Sequence, residues 1–429
     1  MTPRFEASRV IVVDLDQPLP SVGRADAAGR WHGRIRVLAR WAGRPVAVVD
    51  LALDDDLTPT ALADALWSTV GPALADRVAT HTGTRPTGLG AGGLPVPGGR
   101  PDGSDPGDPD GPGDRRITVA VATRDRPTSL ARCLEHVLAL DHPAFDVVVV
   151  DNAPSDDRAR AVVAGLADHP IPVRYVREDR PGLARAHNAA LPHVTGEVVA
   201  FTDDDVEVDP QWLRHLDAPF TDPAVACVTG MIFPAEVETP AQAWIEAHAG
   251  FGKGFERQVF DLDEHRPDDH LFPFTAGRLG SGANMAFRTD ALRALGGFDE
   301  TLGVGTPARG GDDLAAFYDV IRAGHRLVYE PAALVLHHHH VDSAAVRRLA
   351  YSYGIGLGAY LTRAVVEQPS SLLAMAARLP GGVRHGLRTT RPPDEVEVPG
   401  LAGAGWRQRL GLVVGPWSYA RSRRTVDSR

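Results

Sequence analysis

Residues 146–151 read Asp146-Val147-Val148-Val149-Val150-Asp151. Four consecutive valines between two aspartates have no alternation of apolar and polar positions, so they describe a strand covered on both faces, the kind found inside parallel sheets. Similar runs lie on either side. Ile117-Thr118-Val119-Ala120-Val121-Ala122-Thr123 precedes it, while Pro172-Val173-Arg174-Tyr175-Val176 and Glu197-Val198-Val199-Ala200-Phe201-Thr202 follow. The segments between them suit helices at 129–140, 156–167 and 182–191. Strands alternating with helical crossovers predict an α/β domain with a mostly parallel sheet and helices on both faces, spanning residues 116–340. In such sheets ligands bind beyond the carboxyl ends of the strands.

Outward from this domain the composition changes. Residues 88–115 are a Gly/Pro/Asp-rich stretch in which 16 of 28 positions are glycine or proline, too poor in apolar side chains to offset the entropy of ordering, so a linker is expected. Residues 1–87 alternate short strands (10–13, 33–41, 45–51) with a helix from about Thr58 to Thr80, predicting a small α+β module without a nameable chemical constellation. Residues 341–429 hold 13 arginines against six acids, and a helix is expected over 343–366. Such a basic helical extension suits either an anionic membrane surface or a cap on the sheet domain with a solvated tail.

Whole-chain properties narrow the classes. The 429 residues carry a net charge of -10 and two cysteines, Cys133 and Cys227, which excludes a disulfide framework and argues against general nucleic-acid binding. No run of about 18 uncharged apolar residues occurs, and Arg4, Glu6, Arg9 and Asp14 interrupt the start of the chain, so a cytoplasmic location is expected. Lys253 is the only lysine, a skew that reads as genomic composition.

Several segments carry chemistry. Thr123, Arg124 and Asp125 end the first strand and Asp151 the second, a cradle for a nucleoside. Arg180 and Arg185 flank a helix start beginning at Gly182, where backbone N–H groups and guanidinium groups suit phosphate. Asp203, Asp204 and Asp205 follow a buried strand directly, and three adjacent carboxylates call for a cation such as Mg²⁺ or Mn²⁺. Gly282 and Asn284 suit a tight pocket wall, and Arg309 lies in a glycine-rich loop that ends in Asp312 and Asp313 at a helix start. His337 to His340 follow a strand, and one or more of them is suited to the metal.

In this order and spacing these segments resemble family 2 glycosyltransferases, including bacterial members: inverting, nucleotide-sugar-dependent enzymes with the GT-A fold. The resembling residues are 119–126, 148–152, 180–188, 201–206, 282–284, 310–313 and the His337 cluster, within about residues 116–345. The resemblance implies nucleotide contacts from Thr123, Arg124, Asp125, Asp151, Arg180, Arg185, Asp203 and Asp204. It implies a divalent metal on Asp205 with His337 and His339, and a donor or acceptor pocket at Gly282, Asn284 and Arg309. Asp313 aligns with the family's general base, and Asp312 stands where glutamate is usual, which leaves either acid open as the base. The implied partners are a UDP-, GDP- or dTDP-sugar donor and a glycan, lipid-linked or small-molecule acceptor. Two other readings stay open: a nucleotidyltransferase, whose glycine-rich phosphate loop is missing after the first strand, and a non-catalytic sugar-nucleotide-binding or scaffold protein.

Overall fold

The computed structural model describes residues 5–26, 28–95, 114–248, 252–372, 375 and 403–427. Its centre is a nine-stranded sheet. Strands β4 (Ile117–Thr123), β5 (Phe145–Asn152), β6 (Val173–Glu178) and β7 (Val198–Asp203) are parallel neighbours in the order β6-β5-β4-β7. Helices α2 (Pro127–Leu138), α3 (Arg158–Ala164) and α4 (Leu183–Ala190) make the crossovers. The β-branched runs found in the sequence are these strands, and their residues alternate between two cores. Val148, Val150, Val199 and Phe201 enter one, and Val119, Val121, Val147, Val149 and Ala200 the other. This is the expected α/β domain.

Beyond β7 the sheet continues through β11 (Asn284–Arg288), antiparallel to both its neighbours, then β9 (Val225–Pro234) and β12 (Arg326–His337), which are parallel to each other. The short strands β8 (Val206–Val208) and β10 (Gln258–Phe260) pair antiparallel with β12. Helices α5 (Trp212–Asp217), α6 (Pro240–His248), α7 (Thr289–Ala294) and α8 (Asp312–Arg322) fill the connections. Helix α8 starts at Asp312, at the expected pair of acids, where Gly311 takes the left-handed conformation (φ 88°) that lets the chain turn into the helix.

The amino-terminal residues form a separate sheet of β1 (Ser8–Asp14), β2 (Arg34–Trp41) and β3 (Arg44–Ala52), with β1 parallel and β3 antiparallel to β2. Helix α1 (Pro59–Thr82) lies over it, capped by Thr58, whose Oγ1 accepts from the Ala61 N–H at 3.2 Å. Leu89 and Leu94 are buried in this small core, so the ordered unit runs past residue 87: two of the few large apolar residues in the Gly/Pro-rich stretch find a place there. Residues 96–113 of that stretch lie outside the described residues.

The module docks on the β9–β12 side of the large sheet. Leu38 packs with Met231, Phe233 and Leu334, the Ser8 N–H donates to the Val237 carbonyl at 2.8 Å, and Arg40 pairs with Asp209 at 2.5 Å. Glu330, wholly buried beside an irregularity in β12, lies between Arg44 of β3 at 3.1 Å and Arg257 at 2.6 Å. These two guanidinium groups hold its carboxyl below the usual range despite burial. Removing a buried charge from between two arginines leaves them uncompensated. Glu330→Gln is therefore expected to lower stability by about 3–5 kcal/mol in urea denaturation; an unchanged midpoint and slope would contradict this role.

Helices α9 (Ser343–Glu367) and α10 (Ala404–Asp427) pack against each other as a pair. Helix α9 also contacts α8, and its Tyr360 is buried in the sheet core. The expected helix over 343–366 is α9. Residues 376–402, within the predicted basic extension, lie outside the described residues.

Candidate active site

The carboxyl ends of β4, β5 and β7 lie together, with Thr123 in register with Asp151, and Ala122 with Asp203. Thr123 Oγ1 donates to Asp204 at 2.7 Å. Arg126, just past β4, donates from one Nη1 to Asp204 at 3.1 Å and to Asp205 at 2.9 Å. Burial and the neighbouring acids Asp205, Asp204 and Asp312 push the Asp203 carboxyl well above its usual range, against the pull of Arg126. Burial likewise raises Asp204.

From the far side β12 brings His337, with Nε2 3.4 Å from Asp205. One ligand atom each from Asp203, Asp205 and His337 lies within 4.8 Å of the others. Two carboxylates and one imidazole that converge where Asp203 is so disfavoured as an anion fit a hard or borderline divalent cation. The neighbouring histidines do other work. His339 is buried, with Nδ1 2.9 Å from His337 Nδ1 and Nε2 3.6 Å from Glu246. It lies against His337, and the Asp203–Asp205–His337 cluster does not include it. His338 turns toward Glu207 at 2.8 Å and Glu236 at 3.6 Å, and these acids raise it to about 9 against burial.

The nucleoside cradle is only partly as expected. Asp151 is fully buried at the end of β5; Tyr175 donates to its Oδ2 at 2.9 Å, and its Oδ1 has no hydrogen-bond partner. A buried acceptor left open in this way suits an N–H or hydroxyl of a ligand. Arg124 is exposed beside it. Asp125 instead braces its loop, accepting from the Ser155 N–H and hydroxyl, each at 2.8 Å.

Arg180 is held by Glu178 through two hydrogen bonds of 3.0 Å, and buried Arg185 by Glu300 at 3.2 Å. Both arginines are thus engaged by acids, a restraint that the run of residues around Gly182 did not reveal. Asn284 departs furthest from expectation: its Oδ1 accepts from Trp212 Nε1–H at 2.9 Å, and its Nδ2 donates to the carbonyls of Met231 and Ala333 at 2.9 and 2.7 Å. It is a fully buried tie between sheet and helix, not a pocket wall, since every polar atom is satisfied internally.

The two acids opening α8 are also distinguished. Asp313, half-buried, accepts the Gly282 N–H at 3.0 Å and the Leu314 N–H at 2.8 Å. Asp312 is buried and its Oδ2 lacks a hydrogen-bond partner, facing His187 Nδ1 at 3.9 Å. His187 lies between the rings of Phe201 and Phe298, and burial lowers it to about 3, so it is neutral at physiological pH. Burial, reinforced by Asp313, pushes Asp312 up to about 7. Arg309 stands in the adjoining loop with its guanidinium 5.7 Å from the Tyr351 ring.

Residues 118–296 match the family model described as glycosyl transferase family 2. This stretch is similar to family 2 glycosyltransferases. The chain is 32% identical over 240 residues to the pre-mycofactocin glycosyltransferase of Mycobacterium tuberculosis strain H37Rv, covering 54% of this chain and 45% of that protein. It is 29% identical over 226 residues to the succinoglycan biosynthesis protein ExoM of Rhizobium meliloti, covering 51% and 65%. The chain spans between about half and two thirds of these curated relatives. Among solved structures it is similar to the mannosyltransferase PcManGT from Pyrobaculum calidifontis in complex with GDP-Man and Mn²⁺, at 21% identity and a TM-score of 0.44, covering 74% of this chain and 75% of that one.

Two residues that were assigned no role from the amino-acid sequence complete the site. Arg126 supplies the local positive charge, and its only signal is its place one residue before Pro127 at the start of α2. Lys253 donates from Nζ to the Gly277 carbonyl at 2.8 Å and draws Asp313 toward its ionised form, while burial lowers its own pKa to about 8. The rarity of lysine was its signal.

The Asp312 environment predicts a stability signature. Its folded pKa lies above that of an unfolded aspartate, so the folded state holds a proton the unfolded chain releases, and stability falls as pH rises from about 4 to about 7. Asp312→Asn is expected to lack this contribution. In urea denaturation across that window its stability relative to the parent should climb by up to roughly 1.4 kcal/mol per pH unit; a pH-independent difference would refute the assignment.

Proposed function

We propose that the chain is a metal-dependent, inverting glycosyltransferase that moves a sugar from a UDP-, GDP- or dTDP-sugar to an acceptor hydroxyl. The observation that carries this reading is the convergence, at the strand ends of a family 2 domain, of the Asp203–Asp205–His337 cluster with Asp313, a carboxylate oriented by two backbone N–H groups. Sugar transfer is also the activity for which the Mycobacterium tuberculosis relative is named.

Each group has a distinct role. Asp151 offers its open Oδ1 to the nucleoside, with Arg124 beside it for the phosphates. Asp203, Asp205 and His337 would hold Mn²⁺ or Mg²⁺, which when bound offsets the charge of the departing diphosphate. Asp313 takes the proton from the acceptor oxygen as that oxygen bonds to the anomeric carbon and the carbon–diphosphate bond breaks on the opposite side. One displacement inverts the centre and needs no covalent sugar intermediate. Asp313 suits the role of base better than Asp312: it is the more exposed of the two, and its orientation is fixed by Gly282 and Leu314. Asp312 is enclosed against His187. The acceptor on this reading is a glycan, a lipid-linked sugar or a small molecule.

A screen of UDP-, GDP- and dTDP-sugars for hydrolysis and transfer with Mn²⁺ identifies the donor. On the productive donor, Asp313→Asn is expected to lower turnover about 10²–10⁴-fold while nucleotide affinity, measured by calorimetry, stays within about twofold; normal turnover removes Asp313 as the base. EDTA is expected to abolish activity and Mn²⁺ or Mg²⁺ to restore it. His337→Ala should raise the Mn²⁺ concentration needed by about tenfold or more, read as direct Mn²⁺ binding by paramagnetic resonance. Full activity after chelation overturns the metal assignment.

A further inference from the structure

Helix α10 is built inside out for a helix of a water-soluble domain. Its buried face is Gly411, Gly415, Tyr419 and Ser422, mostly small residues spaced to lie on one side and pressed against α9. The contact is backbone to backbone. A Cβ added at Gly354 of α9 would lie 1.9 Å from the Gln408 carbonyl oxygen, and one at Gly415 would lie 2.5 Å from the Gly358 Cα. The opposite face carries Trp406, Leu410, Val413 and Trp417, at successive intervals of four, three and four residues, which fall along a single stripe. These side chains are 64%, 41%, 62% and 72% exposed. An amphipathic helix ordinarily turns such a stripe inward.

The charge pattern identifies the medium. Helix α10 carries five arginines, Arg407, Arg409, Arg421, Arg423 and Arg424, against one acid, Asp427. At 100° per residue, Arg409 and Arg421 flank the stripe on either side and Arg424 continues it. Tryptophans on an apolar stripe bordered by arginines match the interfacial zone of a bilayer with anionic headgroups: the indoles lie at the acyl boundary and the guanidinium groups meet phosphate. Among the described residues no helix is long and apolar enough to cross a membrane, so α10 is suited to lie in the interface. Close packing through small residues is also how helices associate in lipid.

We infer that α10 docks the protein on an anionic lipid surface through Trp406, Leu410, Val413 and Trp417. The docking surface is one helix from the chemistry. The face of α9 bearing Gly354 and Gly358 meets α10, while Gly356 lies against the Gly310–Gly311 turn that leads into Asp312 and Asp313. Burial raises the phenol of Tyr353 on α9, and Asp313, Asp203 and Asp205 are close enough for their charges to add to that shift. A bilayer under α10 thus brings the catalytic end of the sheet to the height of lipid headgroups. On the transferase reading this favours an acceptor presented at the membrane surface; the docking itself does not depend on that reading.

The test uses the full chain and vesicles of phosphatidylcholine with or without phosphatidylglycerol. The protein is expected to sediment with the phosphatidylglycerol vesicles, less so as salt is raised, and weakly with phosphatidylcholine alone. The double variant Trp406→Glu/Trp417→Glu, whose side chains are exposed and whose fold is checked by circular dichroism, should lose at least about tenfold in vesicle partitioning. Donor hydrolysis without vesicles should be unchanged in the variant, so failure of docking and failure of the transferase reading are separately visible. Absent or charge-independent vesicle binding overturns the proposal, as does binding unchanged in the double variant. So does light scattering that shows a dimer which the double variant makes monomeric without any vesicle binding, since the stripe then belongs to a second copy.

Discussion

Three carboxylates at the end of one buried strand repel one another, and the rest of the site is arranged around containing that repulsion. Asp203, Asp204 and Asp205 follow one another at the end of β7, and burial already disfavours the charged forms of Asp203 and Asp204. Arg126 spans two of them, Thr123 donates to one, and His337 arrives from β12 to face the third. Each contributor comes from a different element, so the acids are tolerated only when β4, β7 and β12 are in register. On the proposed metal-dependent reading, a divalent cation would add two positive charges at the point where these acids converge, beyond what one arginine supplies.

The same economy explains the order of the carboxylates at α8. Asp312 and Asp313 are adjacent, yet the helix start sends one inward and one toward the strand ends. Gly311 makes this possible: a Cβ there would lie 2.6 Å from the Gly356 carbonyl oxygen, so only glycine lets α9 approach the turn so closely. Helix α9 therefore packs on the Gly310–Gly311 turn with one face and carries α10 on another. The basic extension is thus structurally continuous with the site, not an appended tail.

Much of this was legible in the amino-acid sequence because the signals were local. Unbroken valine runs declare doubly covered strands, and acids directly after them mark the functional edge. The paired acids at α8 and the histidines after β12 were likewise found from their neighbours in the chain. The expectations that changed were those about side chains whose partners come from far away. Asn284 resembles a pocket residue until Trp212, Met231 and Ala333 are seen to consume all of its hydrogen bonds. Arg180 and Arg185 suit phosphate from their place beside Gly182, but their pairing with Glu178 and Glu300 was not legible there. His339 lies two residues past His337, where the chain has left β12, so its place behind that imidazole follows from the path of the chain beyond the strand and not from any local signal.

The amino-terminal module shows the same limit on a larger scale. Its strands and helix were readable, but its attachment was not, because the docking residues are scattered: Leu38 and Arg40 on β2, Arg44 on β3, then Asp209, Met231, Phe233 and Glu330 on the large domain. Glu330 is decisive among them. A carboxylate with no access to water is costly unless both flanking guanidinium groups are present, and one of the two belongs to the module while the other follows α6 in the large domain. The large domain therefore carries a buried charge that is half-compensated without β3, which ties the module to the sheet by electrostatic necessity as well as by apolar contact.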